Sequence, residues 1–236
     1  MKEIITQHGW CLNANMWINL KNEFIKKNFS WQDNERGYFY GEYKDSKWKE
    51  NSIENNLKIV ICHSLGTQLI NKNVLKKASH AVLINSFFNF IPTNNRRDLI
   101  IRTLNKMERK IKTKELKYLI KEFIERSFLP NKLESNYEEL FEINNTEVNS
   151  NFLLNDFKKL YIEEQSFDFF SKDCKMLIIK STQDLILEAN SIDNLIRFLN
   201  KVQSKKPKVI EISRQGHIVT ESVICKIIKK WLDTEI

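Results

Sequence analysis

Glycine and proline are scarce in this chain, five and three among 236 residues. With so few, each position that keeps a glycine is more informative than usual. Cysteine is also sparse. Cys11, Cys62, Cys174 and Cys225 lie far apart, with neither a CxxC nor any paired metal-ligand spacing. They read as reduced structural thiols, and no metal or other cofactor is expected. No run approaches the roughly 18 apolar residues that a membrane span requires. The opening MKEIITQHGW has neither a long apolar stretch nor a cleavage signal. A soluble, cytoplasmic protein is therefore expected, most simply a monomer. Internal repeats and low-complexity linkers are absent too.

Apolar residues make up 42% of the chain and charged residues 29%, enough for a buried core and against wholesale disorder. Net charge is +8 and the pI is near 9.2. Such an excess suits nucleic acid, an anionic surface or an acidic protein partner. No nucleic-acid motif and no basic-aromatic platform accompanies it, so nucleic acid is set aside.

Short apolar runs alternate with longer amphipathic segments, which predicts an α/β layered fold with a mostly parallel sheet flanked by helices. Strands are expected at residues 2–6, 29–31, 57–62, 81–85, 175–180 and 208–212. Helices are expected at 13–27, capped by Asn13 with Met16, Leu20, Phe24 and Ile25 on one face, and at 66–77, 188–200 and 220–232. Between about 91 and 172 the strand signal disappears and helical spacing takes over, with a polar break at 144–151. This predicts an all-helical insertion, a lid, in a core made of 1–90 and 173–236.

The informative pentapeptide is Cys62-His63-Ser64-Leu65-Gly66, set between a buried strand and a helix. A serine there sits on a sharp turn with its hydroxyl lifted clear of the sheet, provided its neighbours are small. A hydroxyl becomes a useful nucleophile only when a base takes its proton, and the base needs a group that fixes its tautomer. Chain order in such folds is Ser, acid, His. Asp184 follows the strand in KMLIIKSTQDLIL, and His217 follows the strand in VIEISRQGHIVTE. Asp193, inside the next helical pattern, is the weaker acid. Oxyanion donors are expected from the backbone N–H of Leu65 and from that of Trp10, in the loop after the first strand. His8 is expected to brace that loop and His63 to pack, while the Trp10 side chain is placed to line an acyl pocket.

QHGWCLNANMW, CHSLG, STQDLIL and QGHIV together resemble the α/β-hydrolase esterases of biotin synthesis, which remove the methyl group from a pimeloyl methyl ester on acyl carrier protein. The resemblance covers roughly residues 2–90 and 173–234. It implies a Ser64–Asp184–His217 triad with Trp10 and Leu65 supplying the oxyanion amides. Cys62, Thr67 and Ser181 stand where that family usually has glycine, and because the first strand already leads to His8-Gly9, the N-terminal hairpin common in hydrolases is not expected. Between residues 96 and 132 the sequence holds twelve Lys or Arg against five Asp or Glu. Acyl carrier proteins are acidic, so a basic outer lid face (Arg96, Arg97, Arg102, Lys106, Arg109 and Lys110) is expected to dock the carrier. Leu99, Ile100, Leu104, Leu119 and Phe123 are expected to cover the acyl chain from the inner face.

Overall fold

The computed structural model describes residues 2–39, 42–49, 57–133, 147–162, 167 and 169–235. Among them, six strands form one sheet: β1 (Lys2–Gln7), β2 (Ser30–Asn34), β3 (Leu57–His63), β4 (His80–Ile84), β5 (Lys175–Ser181) and β6 (Lys208–Ile212). Their order is β2-β1-β3-β4-β5-β6, and every adjacent pair is parallel. Interior strands of a parallel sheet are covered on both faces, so they read as continuous apolar runs rather than alternating ones. Ile59, Val60, Ile61 and Leu83 are fully buried, and each such side chain contributes roughly 2 kcal/mol by leaving water. Register aligns Gln7 with Cys62, Cys62 with Leu83, Leu83 with Ile178 and Ile178 with Val209. The residues that follow β1, β3 and β4 therefore leave the sheet side by side, along its carboxyl edge.

Helices pack around this sheet: α1 (Ile18–Ile25), α2 (Gly66–Leu69), α3 (Lys72–Lys76), α4 (Arg97–Ile111), α5 (Leu116–Phe128), α6 (Ser150–Phe157), α7 (Ala189–Val202) and α8 (Glu221–Glu235). The single helix expected at 13–27 begins as a 3-10 turn, Ala14–Trp17, whose Asn13 cap accepts from the Asn15 N–H. Met16, Leu20 and Phe24, spaced by four, are buried, but Ile25 is half exposed because it falls 100° off their stripe. The helix expected at 66–77 is divided. Ile70 is extended, and the Asn71 side chain caps a new start by accepting from the Asn73 N–H.

Between β4 and β5 the described elements are α4, α5, α6 and a 3-10 turn, Lys158–Tyr161, in keeping with the helical reading of that stretch. Asn149 caps α6 by accepting from the Phe152 N–H at 3.1 Å. Residues 144–146 of the expected polar break, and the helical pattern from 138 up to it, lie outside the described residues. This insertion is tied to the core by a buried polar cluster. Arg36 makes two 2.8 Å hydrogen bonds to the Asp156 carboxylate, which also accepts from the Tyr38 hydroxyl at 2.6 Å. Burial pushes the Tyr38 phenol up and Asp156 reinforces it, so this oxygen stays a donor.

Candidate active site

Ser64 occupies the turn between β3 and α2 with φ of 54°. A non-glycine residue in this left-handed region is strained by roughly 1–3 kcal/mol, and the turn is held by the Ser64 N–H donating to the Ile84 carbonyl at 2.9 Å. Gly66 is required two residues later. A Cβ there would lie 2.6 Å from the Gln7 carbonyl oxygen, a main-chain atom of β1. Cys62 and Thr67 fit where glycine is usual because both side chains are small and fully packed.

His217 lies in the loop between β6 and α8, and Asp184 in the loop between β5 and α7. His217 Nε2 is 2.8 Å from Ser64 Oγ, and His217 Nδ1 is 2.7 Å from Asp184 Oδ2. The other Asp184 oxygen accepts from the N–H groups of Ile186 at 2.7 Å and Leu187 at 3.0 Å. Burial pushes the Asp184 carboxyl up, but His217 and these two amides outweigh it and hold it below the usual carboxylate range. The structure thus brings together the three side chains expected from the sequence. Asp193 is elsewhere, paired with Lys180 at 2.7 Å.

Trp10 and Leu65, expected to donate to an oxyanion, line one cavity together with Ser64. Neither backbone N–H has an acceptor among the described residues. Gly9 permits the approach, since a Cβ there would lie 3.0 Å from the Ser64 Cβ. His8 braces the loop, with Nδ1 2.8 Å from the Gly9 carbonyl oxygen and Nε2 accepting from the Arg36 N–H at 3.2 Å. The Trp10 indole is 4% exposed, packs on Phe123 and Phe157, and donates to the Leu153 carbonyl in α6 at 2.8 Å. The loop that carries the Trp10 amide is therefore fastened to the helical insertion.

A cavity of about 390 Å³ adjoins Ser64, with Trp10, Leu65, Phe90, Leu104 and Met107 among its walls. Leu99, Ile100, Leu119 and Phe123, expected on the inner lid face, also line it. Three cations expected on the outer face line it as well: Arg96, Lys106 and Lys110. Arg96 pairs with Glu188 at 3.2 Å, and Lys110 lies 3.7 Å from Glu122. Arg102 and Arg109 are exposed on α4, and Arg97 is half-buried at its start. No group of three or more His, Cys, Asp or Glu side chains that could hold a metal occurs among the described residues, and no described helix is long and apolar enough to cross a membrane.

The far end of α5 touches the loops of both His217 and Asp184. The Ile218 N–H donates to the Ser127 carbonyl at 2.9 Å, and Arg126 Nε donates to the Leu185 carbonyl at 3.2 Å. Gly216 makes this closeness possible, because a Cβ there would lie 2.2 Å from the Leu129 carbonyl oxygen and 2.6 Å from that of Ser127. Main-chain atoms cannot swing aside as a side chain would, so Gly216→Ala has to move the His217 loop. It is expected to cost about 2–3 kcal/mol and lower Tm by roughly 5–10 °C in a thermal melt followed by circular dichroism. An unchanged Tm would show that this contact bears no load.

Sequence reasoning missed two residues of the neighbourhood and underread a third. Asn85, just past β4, and Ser181, the last residue of β5, hydrogen-bond to each other beside His217, and His63 donates to the His217 carbonyl. The one signal for Asn85 was a carboxamide closing an otherwise apolar run, AVLIN.

The architecture is the α/β-hydrolase fold, with serine, acid and histidine in the chain order of that fold. An esterase from Exiguobacterium antarcticum superposes with a TM-score of 0.69 at 13% identity, covering 99% of this chain and 91% of that one. MenH from S. aureus gives 0.66 at 12% identity, covering 99% and 94%. The enol-lactonase from Burkholderia xenovorans LB400 gives 0.63 at 14% identity, covering 98% and 90%. No protein-family model and no curated protein sequence matches the chain.

Proposed function

We propose that this protein is a serine carboxylesterase that hydrolyses the methyl ester of pimeloyl-acyl carrier protein. The observation that carries the esterase reading is the relay from Ser64 Oγ through His217 to Asp184, at 2.8 and 2.7 Å, beside two unengaged backbone amides. Ser64 Oγ attacks the ester carbonyl carbon while its proton passes to His217 Nε2. The amides of Trp10 and Leu65 hold the oxyanion as the tetrahedral intermediate forms. Collapse breaks the bond to the methoxy oxygen, which leaves as methanol with the proton from His217. A water molecule then gives a proton to the same nitrogen as it attacks the acyl-enzyme, and the free acid departs as Ser64 regains its hydrogen.

The substrate part of the proposal rests on the resemblance of HGWCLNANMW, CHSLG and QGHIV to the biotin-pathway esterases, and on charge. The cavity walls are mostly apolar, suited to an acyl chain, with Arg96, Lys106, Lys110 and Arg126 set against Glu122 and Glu188. Arg102 and Arg109, seven residues apart on α4, share one exposed face and are the cations best placed to meet an acidic partner. Reversing both, Arg102→Glu with Arg109→Glu, is expected to raise KM for the carrier-bound methyl ester about tenfold while a short p-nitrophenyl ester is turned over as before. If both substrates respond alike, the docking part is wrong. A general carboxylesterase, a thioesterase or a C–C hydrolase is separated by assaying pimeloyl-carrier methyl ester against free esters, thioesters and β-diketones. A hydrolase-like module that binds without turnover is separated by labelling with a fluorophosphonate, which only an activated serine captures.

A further inference from the structure

Beyond the relay, the backbone carbonyl of His217 is itself held in an unusual way. It accepts from His63 Nε2 at 2.8 Å and from Asn85 Nδ2 at 2.8 Å, so two side-chain donors converge on one oxygen. His63 ends β3 and immediately precedes Ser64. Asn85 follows β4 in a left-handed conformation, φ 44°, and is fully buried. Asn85 Nδ2 also donates to Ser181 Oγ at 2.9 Å, while its Oδ1 accepts from the Ser181 N–H at 2.8 Å. Ser181 ends β5, three residues before Asp184. The ends of three neighbouring strands, carrying the nucleophile turn on one side and the acid loop on the other, are thereby linked to one carbonyl on the loop of the base.

We infer that His63 and Asn85 are positioning residues that clamp the His217 main chain, so that its imidazole keeps one orientation between Ser64 and Asp184 through the reaction. This rests on the triad reading above. The geometry favours a clamp over passive packing. The His63 ring lies 4.9 Å from that of His217, and its Nδ1 is buried with no partner among the described residues. Burial, reinforced by the nearby His217, holds His63 down to about 3. It therefore stays neutral, and its single proton is committed to Nε2, the nitrogen facing the carbonyl. A second charge never appears beside the imidazolium that His217 becomes. Ser181 belongs to the same device, since its hydroxyl gives Asn85 an acceptor that a glycine would lack.

The test compares His63→Leu, of similar bulk but without a donor, with His63→Gln, whose carboxamide can still donate, and adds Asn85→Ala as an independent arm. On a p-nitrophenyl ester, His63→Leu and Asn85→Ala are expected to lower kcat by about 10- to 100-fold with KM within threefold, as for a base displaced by a fraction of an ångström. His63→Gln is expected to stay within about fivefold of wild type. Fluorophosphonate labelling rates should follow kcat in the same order. Wild-type kcat in both His63→Leu and Asn85→Ala overturns the clamp, as does an equal loss of kcat in His63→Gln and His63→Leu. If His63→Leu does not fold, Asn85→Ala alone decides, read as the split between kcat and KM. Absence of labelling in the wild-type protein is a different result. It removes the triad reading, and the clamp falls with it.

Discussion

Ser64→Ala is expected to lower kcat on a short p-nitrophenyl ester by about 10⁴- to 10⁶-fold, with the remaining rate due to binding and the oxyanion amides. The size follows from the unity of the relay. Without the hydroxyl, His217 has no proton to take and no acyl-enzyme forms, so the two-step route is lost rather than slowed. Fold and chemistry can be separated at this same position. Ser64 holds φ at 54°, and alanine inherits that strain whereas glycine does not. Ser64→Gly should therefore be as inactive as Ser64→Ala yet melt a few degrees higher, from relief of about 1 kcal/mol. Wild-type turnover in either variant would end the assignment.

Strand content was legible where burial on both faces forces a simple composition. The middles of β3, β4 and β5 are apolar runs because both faces are covered, and their polar residues sit toward the strand ends. β2 was only partly legible, as SWQDN carries almost no apolar signal. It is an edge strand whose polar side chains find local partners, Asp33 accepting from Thr6 at 2.9 Å and from Trp31 at 2.5 Å. The break at Ile70 was missed for a related reason. Asn71 reads equally well inside a polar helix face and as a cap, and the sequence does not say which hydrogen bond its side chain makes.

Ser64, Asp184 and His217 were readable because each stands in the turn or loop after a strand, where chain order already constrains the chemistry. The contacts of His63, Asn85 and Ser181 depend on which strand ends lie side by side. That is a matter of register, and local sequence does not carry it. The cations of α4 were a different problem. They occur at six positions from Arg96 to Lys110, nearly all round the helix, so a helical wheel cannot separate a docking face from a cavity face. The fold brings Arg96, Lys106 and Lys110 to the cavity and leaves Arg102 and Arg109 outside.

The second large effect is expected from Asp184→Asn, and here the hydrogen-bond geometry dictates the outcome. One carboxylate oxygen receives two main-chain N–H groups, from Ile186 and Leu187, and the other receives His217 Nδ1–H. In the carboxamide, the oxygen has to face the two amides, because turning the NH₂ toward them would set donor against donor twice. The NH₂ is then aimed at His217 Nδ1, which can only accept. The ring proton moves to Nε2, the nitrogen that must be bare to take hydrogen from Ser64. A loss of about 10⁴-fold in kcat at neutral pH follows, with the fold intact. Stability carries its own signature. The Asp184 carboxyl lies below its ordinary value in the folded state, so its contribution is complete above about pH 4 and drains away as pH falls through the folded value. The Tm advantage of wild type over Asp184→Asn should therefore shrink on acidification below about pH 4. A variant with wild-type kcat would mean that His217 needs no fixed tautomer, and a base without a fixed tautomer cannot be the one drawn here.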